Sequence, residues 1–319
     1  MGAGRVLITG GTGFVGRRLV AALVRAGRPV TVATRTGQGP DGPGIRSAAV
    51  GEIGPDTVWD DALADAEAVV HLAAHVHIAP ERAAAKADLF DWVNHLGTAR
   101  LCDAAAGAGV SRFVFLSSIT VLGPNQVPGH PFTDRSPPRP DTPYARSKLA
   151  AETCLTACAA RSGMALTVLR PPLICGGGVG GNLGALLRLA RLPIPLPFGA
   201  VRNRRTLLSR DNLVSAIGAI LDHPAPHAVA GTFVLGDREA LSTAAIVTTL
   251  REGLRRPPLL LPAPPALIGM GLGLAGRAGM ARRLLGDLEV ESSRFREAAG
   301  WTDVTDTRAS LRETAQSQP

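Results

Sequence analysis

The sequence predicts an α/β fold in which a doubly wound parallel sheet is followed by a smaller carboxyl-terminal lobe. Short apolar runs alternate with segments of helical periodicity through the first half of the chain, and this order is typical of a parallel sheet with helices on both faces. A glycine-rich turn follows the first run directly. After Pro171 the alternation weakens and glycine and proline cluster, which indicates loops and short helices.

The individual elements are predicted from length and periodicity. Each strand is an apolar run too short for a helix, and each helix has apolar residues spaced three and four apart. The predicted strands are RVLIT (5–9), PVTVAT (29–34), AVVHLAA (68–74), RFVFLSS (112–118) and ALTVLRP (165–171), and the predicted helices cover 14–26, 88–106 and 144–160.

The composition is that of a globular protein and argues against nucleic acid as a partner. Of 319 residues, 45% are hydrophobic and 19% are charged, and the net charge is +8. The arginines are scattered, without the Lys/Arg block and interleaved aromatic residues of a nucleic-acid face. A net positive charge also suits an anionic small substrate.

The cysteines predict neither a metal site nor a disulfide framework. They show no CxxC pair and no Cys/His zinc spacing. Without a signal peptide, reduced thiols and a cytoplasmic location are expected. The cysteines are Cys102, Cys154, Cys158 and Cys175.

One strongly apolar segment, 259–280, is not predicted to span a membrane. Pro262, Pro264 and Pro265 interrupt it and Arg277 closes it, whereas a spanning helix needs about 20 uninterrupted apolar residues. We predict a loop and a buried helix here, with peripheral contact at a membrane surface as the alternative.

The turn TGGTGFVG (9–16) predicts a phosphate-binding loop. It follows a strand and opens a helix, and its glycines lie at 10, 13 and 16. This pattern allows a tight turn, close approach of a pyrophosphate to the backbone and tight helix–strand packing, with the phosphate at the positive end of the helix dipole. We therefore predict a Rossmann-type dinucleotide-binding domain over 1–170, to which segments around 205–235 return, and a lobe over 171–319. The predicted cofactor contacts in the loop are Gly10, Thr12, Gly13, Phe14, Val15 and Gly16.

The end of the second strand bears on the choice of cofactor. An NAD site usually has a carboxylate there for the ribose hydroxyls, but this chain has Thr34 and Arg35. A guanidinium suits a 2′-phosphate through charge-assisted bonds. We predict NADP(H), with NAD(H) as the alternative and a solvated surface Arg35 as the non-functional interpretation.

Two patterns later in the chain predict side chains that transfer a proton. The strand 112–118 ends in Ser117 and Ser118, and Tyr144 and Lys148 lie four residues apart on the next predicted helix. That spacing puts the phenol and the ammonium on one helix face. A nearby ammonium favours the phenolate and so lowers the pKa of a tyrosine.

Taken together, these motifs resemble the extended short-chain dehydrogenase/reductase family, in the branch of nucleotide-sugar epimerases and reductases. The resemblance implies that Tyr144 exchanges a proton with the sugar 4-oxygen while hydride moves to or from a nicotinamide. It implies that Ser118 hydrogen-bonds that oxygen, and that Lys148 binds the nicotinamide ribose and tunes Tyr144.

The resemblance also implies roles for residues outside these motifs. Asn94 would brace the active-site strand. Arg204 would bind phosphate, and its immediate neighbour Arg205 could be mistaken for it. The further cofactor contacts would be Glu52 and Ile53 beside adenine, Leu72, Ala73, Ala74 and Pro171, and the substrate contacts Ser118, Thr120, Asn182 and Arg204.

Within that family the chain looks most like bacterial reductases of UDP-4-keto-6-deoxy-N-acetylhexosamines, which serve surface polysaccharide synthesis. Leu122 replaces a Tyr common in the family, and Leu173 replaces an Asn common in epimerases. The main prediction is therefore NADP(H)-dependent reduction of a UDP-sugar 4-keto group. The alternatives are a UDP-hexose 4-epimerase with tightly bound NAD, a non-catalytic nucleotide-binding scaffold or sensor, and a steroid-type 3-hydroxy dehydrogenase; a homodimer is left open.

Overall fold

The computed structural model describes residues 4–76, 87–127 and 129–317. Its centre is a seven-stranded parallel sheet with the strand order β10-β6-β5-β4-β1-β2-β3. The strands are β1 (Arg5–Thr9), β2 (Val30–Thr34), β3 (Ile45–Ala49), β4 (Ala66–His71), β5 (Arg112–Leu116), β6 (Ala165–Arg170), β7 (Ile174–Cys175), β8 (Arg205–Thr206), β9 (Leu208–Ser209), β10 (Gly231–Val234) and β11 (Ala240–Leu241).

Helices cover both faces of this sheet, and some of those that follow β6 pack around a separate core cluster. The helices are α1 (Phe14–Arg25), α2 (Asp60–Leu63), α3 (Ala87–Phe90), α4 (Gly97–Gly107), α5 (Pro143–Ser162), α6 (Gly181–Ala190), α7 (Arg210–Asp222), α8 (Thr243–Gly253), α9 (Pro265–Leu274), α10 (Ala278–Leu285), α11 (Ser293–Ala299) and α12 (Thr307–Gln316). Those around the separate core cluster include α6, α8 and α12. A π-helical stretch, Asp91–Leu96, joins α3 to α4, and 3₁₀ turns cover Ile119–Leu122 and Pro226–Val229.

The sheet is buried on both faces because its strands are apolar throughout. Val6, Leu7 and Ile8 of β1 are all inaccessible to solvent. Val6 and Ile8 pack in one core cluster with α1 and α7, whereas Leu7 packs in a second cluster with α4 and α5. Alternate side chains of one strand therefore enter two cores, and the predicted doubly wound α/β fold is confirmed.

Several predicted boundaries change. β4 ends at His71 and β5 at Leu116, so residues 72–74 and 117–118 lie beyond the strands as loops at the carboxyl edge of the sheet. The helix predicted over 88–106 contains the π-helical stretch. The strands β3 and β10 were not predicted; β10 pairs in parallel with β6 and forms an edge of the sheet.

The structure corrects the prediction of a buried helix in segment 259–280. The segment contains α9, but none of the residues of α9 is buried, so the predicted buried helix is wrong. Helix α9 packs against α10 along one side, where a Cβ on Gly269 would contact Leu285, and leaves its other side in solvent. Among the described residues, no helix is both long and apolar enough to cross a membrane.

Candidate functional site

The glycine loop has the geometry of a phosphate cradle. Gly10 has a φ of +69°, which favours glycine, and a Cβ on Gly16 would collide with the Gly10 carbonyl oxygen. A Cβ on Gly13 would meet only that same oxygen, at 3.1 Å, so the approach to the Gly13 backbone is open. Gly13 begins α1 in an extended conformation, and the first amides of the helix face this opening, as a pyrophosphate requires.

Other residues of the loop divide between the opening and the core. Thr12 is exposed at the loop, and Val15, in the first turn of α1, is buried. Phe14 is partly buried, and the Arg210 guanidinium lies 5.2 Å from the centre of its ring. Arg18, one turn further, forms a bidentate pair with Asp211 at 2.8 and 2.9 Å. The start of α1 is therefore fastened to α7.

The loop after β4 passes directly beside the glycines. The amide of Leu72 donates to the Thr9 carbonyl at 3.2 Å, and the amide of Ala73 donates to Thr9 Oγ1 at 3.1 Å. A Cβ on Gly10 would come within 2.8 Å of the Ala73 nitrogen. Leu72, Ala73 and the adjoining Ala74 are all partly exposed, so this loop forms a wall of the same cleft.

A buried hydrogen-bond chain through His71 holds that wall. Thr98 donates its proton to the Asn94 carbonyl at 2.7 Å, so its oxygen accepts from His71 Nε2 at 2.8 Å. His71 Nδ1 is then unprotonated and accepts from Thr9 Oγ1 at 2.6 Å. Burial, together with the Lys148 charge, lowers the pKa of His71 to about 3. His71 is therefore a neutral, buried support of the wall.

Asn94 joins three elements around the cleft. Its Oδ1 accepts from the His75 amide at 2.7 Å, and its Nδ2 donates to the His75 carbonyl and to Ser147 Oγ, both at 3.1 Å. The side chain is buried and lies in the π-helical stretch. Asn94 therefore links the loop after β4 to α5, the helix that carries Tyr144.

Ser118 and Tyr144 meet at the carboxyl end of β5. Ser118 Oγ accepts from the Thr120 amide at 3.2 Å and from Thr120 Oγ1 at 2.9 Å. Its own proton is therefore free to be donated, and the nearby Ser118 hydroxyl acts to lower the pKa of Tyr144. Burial outweighs that effect and raises the pKa of Tyr144 to about 12.

Lys148 lies one turn beyond Tyr144 and is almost fully buried. Its Nζ is 4.1 Å from the centre of the Phe115 ring. Burial lowers the pKa of Lys148 to about 7, against the opposing charge of Glu152. The predicted lowering of the Tyr144 pKa by Lys148 is thus wrong for the net shift, because desolvation of the phenol dominates.

Ser117 makes different hydrogen bonds from Ser118 and supports the site structurally. Its hydroxyl is buried and donates to Glu152 Oε1 at 2.5 Å. The same carboxylate accepts from Arg170 Nε at 3.0 Å and from Arg170 Nη2 at 2.5 Å. This cluster joins the ends of β5 and β6 to α5, so it fixes the helix of Tyr144 against the strand of Ser118. The spacing of Glu152, four residues after Lys148, was the signal in the sequence that could have indicated it.

The edge of the cleft that is predicted to bind adenosine is more exposed than the end that carries Tyr144. Thr34 Oγ1 is buried and has no hydrogen-bond partner among the residues that the structure describes, which suits a ligand hydroxyl nearby. Arg35 Nη1 instead donates to Glu52 Oε1 at 3.2 Å, and both side chains lie largely in solvent. Ile53 packs against Gly97. The Arg35 guanidinium therefore has a carboxylate beside it, a pairing that the sequence did not predict.

Of the predicted substrate contacts, Ser118 and Thr120 directly follow β5, whereas Asn182 and Arg204 come after β6 in the chain. Asn182 is exposed in the first turn of α6. Pro171, a predicted cofactor contact, is buried after β6, where its carbonyl accepts from the Ile119 amide. Arg204 is exposed and its Nε donates to Glu289 Oε2 at 2.7 Å. Its neighbour Arg205 is partly buried and donates to the Gly286 carbonyl at 2.9 Å. Of the two arginines, Arg204 is thus the one a ligand could reach.

The described part of the cleft fits a dinucleotide and no metal. The orphaned Thr34 hydroxyl and the open approach to Gly13 are features that a ligand would complete. Among residues 4–76, 87–127 and 129–317, no group of three His, Cys, Asp or Glu side chains could hold a metal ion. The described cysteines are free thiols, and Cys102, Cys158 and Cys175 are buried.

A Rossmann-type sheet with a glycine cradle and a Ser–Tyr–Lys set at its carboxyl edge defines a nucleotide-dependent oxidoreductase or epimerase. Residues 6–236 match the NAD dependent epimerase/dehydratase family. The chain belongs to this family, the extended short-chain dehydrogenase/reductases, and is an enzyme of that type. It is 36% identical over 313 residues to a UDP-glucose 4-epimerase of Vibrio cholerae, covering 98% of this chain and 94% of that protein.

Solved structures share the fold at low identity. A UDP-glucuronic acid 4-epimerase from Bacillus cereus in complex with NAD has a TM-score of 0.77 at 16% identity, covering 98% of this chain and 96% of that one. The Bordetella bronchiseptica enzyme WbmG in complex with NAD has a TM-score of 0.74 at 19% identity, covering 98% and 92%. At these identities the likeness shows the fold alone.

Proposed function

We propose that the protein is a UDP-hexose or UDP-N-acetylhexosamine 4-epimerase that retains NAD. The observation that carries this choice over NADP(H) is the Arg35–Glu52 pair. A 2′-phosphate at Arg35 would bring its negative charges next to the Glu52 carboxylate, and like charges at close range oppose binding. The extensive similarity to the Vibrio cholerae UDP-glucose 4-epimerase supports the same choice. This proposal replaces the NADP(H)-dependent reductase as the leading interpretation.

NAD would lie along the glycine loop, with the wall from Leu72 to Ala74 on one side and Thr34 at the adenosine ribose. When bound, it supplies a reversible hydride acceptor, so that C4 can be oxidised to a ketone and reduced from the other face. The protein must then bind the sugar, hold its 4-oxygen and move one proton.

The proton on the 4-hydroxyl passes to and from Tyr144. Because the pKa of Tyr144 is raised to about 12, the isolated phenol is suited to giving a proton and needs positive charge nearby to take one. A protonated Lys148, one turn away, supplies such a charge. Ser118, whose proton is free while Thr120 donates to its oxygen, donates to the 4-oxygen and holds it beside Tyr144.

The second lobe, mainly residues 171–319, would hold the UDP moiety. Arg204 is exposed, so its guanidinium can donate to the anionic oxygens of a diphosphate once it leaves the Glu289 carboxylate, its present partner. Asn182 at the start of α6 is the second candidate contact. Binding energy from the diphosphate would position C4 without contacting it.

The second candidate is NADP(H)-dependent reduction of a UDP-4-keto-6-deoxy-N-acetylhexosamine. It is favoured by one observation, the end of β2, where Thr34 and Arg35 stand in place of the carboxylate usual for NAD. The two candidates share the roles of Ser118, Tyr144 and Lys148 and differ in cofactor and in net redox change.

The deciding experiment identifies the nucleotide released when the purified protein is denatured and then tests two reactions. We expect bound NAD, and conversion of UDP-N-acetylglucosamine or UDP-glucose to the 4-epimer without added cofactor. The Tyr144→Phe protein should release the same nucleotide but give no epimer. An empty protein that consumes NADPH with the keto-sugar, and gives no epimer, would make the reductase correct.

A further inference from the structure

The strongest unexplained surface of the molecule is the apolar side of α9. Leu267, Met270 and Leu274 are 55%, 59% and 85% exposed. They lie three and four residues apart and so form one stripe along the helix. Ile268 and Leu272, on the other side of the helix, are only partly exposed, and Ile268 packs on the core of the second lobe. The helix is thus apolar all round but covered on one side.

Two loops that pack on the same core cluster as α9, through Leu196, Leu260 and Ile268, carry further exposed apolar side chains. Leu259 and Leu261 are 43% and 54% exposed, and Leu192 and Ile194 are 41% and 52% exposed. The two loops are joined by hydrogen bonds between the Leu196 and Leu259–Leu261 backbones at 2.9 and 3.0 Å. We call the seven side chains of α9 and these loops the apolar surface: Leu192, Ile194, Leu259, Leu261, Leu267, Met270 and Leu274.

A buried arginine fixes the loops in this exposed arrangement. Arg251 is 1% exposed, and its guanidinium donates to the carbonyls of Leu192, Ile194 and Leu259 at 3.1, 2.7 and 2.9 Å. These hydrogen bonds hold the backbone of both loops, while the side chains of Leu192, Ile194 and Leu259 are exposed. The apolar surface is therefore a built feature of the lobe and not the end of a frayed segment.

The charges around this surface have one sign. Segment 254–286 contains five arginines and no Asp, Glu or Lys. All five are exposed, and within the described part of the chain none of them makes an ion pair. The flanking carboxylates have other partners: Glu252 pairs with Arg312, Asp287 accepts from the Arg204 amide, and Glu289 pairs with the Arg204 side chain. The five are Arg255, Arg256, Arg277, Arg282 and Arg283.

We propose that the apolar surface and its arginines dock the enzyme on an anionic phospholipid membrane. An exposed apolar helix bordered by arginines is the arrangement that lies in a membrane interface, with its side chains in the acyl boundary and its cations at the headgroups. A second copy of the chain fits less well. A two-fold contact through α9 would bring the arginines of both copies together without a carboxylate from segment 254–286 to pair with them.

The test measures binding of the purified protein to sedimenting vesicles. We expect binding to vesicles of phosphatidylcholine with phosphatidylglycerol, little binding to phosphatidylcholine alone, and loss of binding in high salt. Replacing Arg282 and Arg283 with Gln should lower the partition coefficient about 30-fold, since each arginine near such a surface contributes about a fivefold step. A control with Arg25→Gln and Arg135→Gln removes the same charge from exposed positions outside α9 and α10 and should bind as the original protein does.

The apolar stripe is tested by Leu267→Ser, Met270→Ser and Leu274→Ser together. These positions are exposed, so the fold and the sugar-converting activity should persist while vesicle binding falls at least tenfold. The control is Val304→Ser, at a valine that is 62% exposed elsewhere. A second readout is Leu274→Trp, whose emission should shift to the blue only with the anionic vesicles.

Three outcomes would overturn the proposal. One is no binding to anionic vesicles. Another is binding that the serine variant retains. The third is a stable dimer in solution that the serine substitutions dissociate, which would assign the surface to a second copy of the chain. Since vesicle binding is measured without substrate, its failure leaves the proposed epimerase activity unaffected.

Discussion

Two arginine–glutamate pairs lie at opposite ends of the candidate cofactor cleft and differ in almost every physical respect. Arg170 and Glu152, below the catalytic residues, have side chains that are 7% and 6% exposed. Arg35 and Glu52, at the adenosine edge, are 75% and 79% exposed. The buried pair interacts in a low dielectric, so removing one of its members strongly destabilises the fold, whereas the exposed pair is screened by water. The catalytic end is therefore fixed by the fold, and the adenosine end can be retuned by single substitutions.

The largest effect is expected at the catalytic end, from Tyr144→Phe. The substitution removes one hydroxyl and keeps the ring, which packs edge-on to Phe90 at 6.1 Å between centroids. Turnover should fall by about 10²–10⁴-fold, the usual contribution of general acid–base catalysis, with nucleotide binding unchanged. Steady-state rates and nucleotide titration measure both. A variant that keeps more than a tenth of the rate would remove Tyr144 from the proton path.

Next in size is the buried pair itself. Glu152→Ala leaves the Arg170 guanidinium and the Ser117 hydroxyl buried without their acceptor. The free energy of unfolding should fall by about 3–5 kcal/mol, as for other broken buried pairs. Urea denaturation measures it.

The matched control for Glu152→Ala is Glu52→Ala, which breaks the exposed pair and should cost no more than about 1 kcal/mol. Equal losses in the two variants would contradict the comparison between the two ends of the cleft.

A smaller effect is expected from acid titration of His71, which lies on the same buried side of the cleft. Burial and the Lys148 charge hold the pKa of His71 near 3, and in the unfolded chain it is about 6.5. The unfolded chain thus binds more protons below pH 6.5, so stability is fully present above that pH and is lost as the pH falls. Between pH 7 and pH 4 the loss should be about 3 kcal/mol.

Denaturation curves at several pH values test this expectation against His71→Gln, which should flatten the acid slope whatever its effect on absolute stability. An unchanged slope in the variant would assign the acid sensitivity to carboxylates.

The smallest effect is expected at the adenosine edge. Glu52→Ala removes the carboxylate beside Arg35, so the affinity for NADP⁺ relative to NAD⁺ should rise by up to about fivefold, in line with an exposed charge interaction of up to about 1 kcal/mol. Asp56→Ala is the control, since it removes the same charge from a nearby exposed position. A fall in the ratio, or an equal rise with Asp56→Ala, would exclude Glu52 as the group that disfavours the 2′-phosphate.

The sequence was sufficient for the parts of the fold that rest on local patterns. The strands β1, β2, β4, β5 and β6 are apolar and were predicted to within a few residues. The strand β3, with the sequence IRSAA, is only partly buried, and β10 has four residues. Neither has enough periodicity or length to be recognised without its neighbours in the sheet. The apolar composition of α9 predicted burial, but composition alone does not say whether a partner surface exists.

The candidate site divides in the same way. Ser118, Tyr144 and Lys148 could be predicted because the motif spacing is local. The Arg35–Glu52 pair could not, since it depends on β2 and β3 lying side by side, and β3 was not foreseen. The direction of the Tyr144 pKa was wrong for a similar reason: the presence of Lys148 is visible in the sequence, whereas the desolvation of the phenol depends on everything packed around it.

The position of β10 has a consequence for synthesis of the protein. β6 ends at Arg170, but β10, which pairs with one of its two edges, begins only at Gly231. In the same way, Arg18 of α1 pairs with Asp211, which is synthesised much later. While a ribosome is still making the intervening residues, the emerging chain carries a β6 edge with unpaired backbone groups and a first helix without its anchor. Such an edge is open to pairing with other chains. Chaperone protection of the nascent chain is therefore most valuable in the interval between residues 170 and 234.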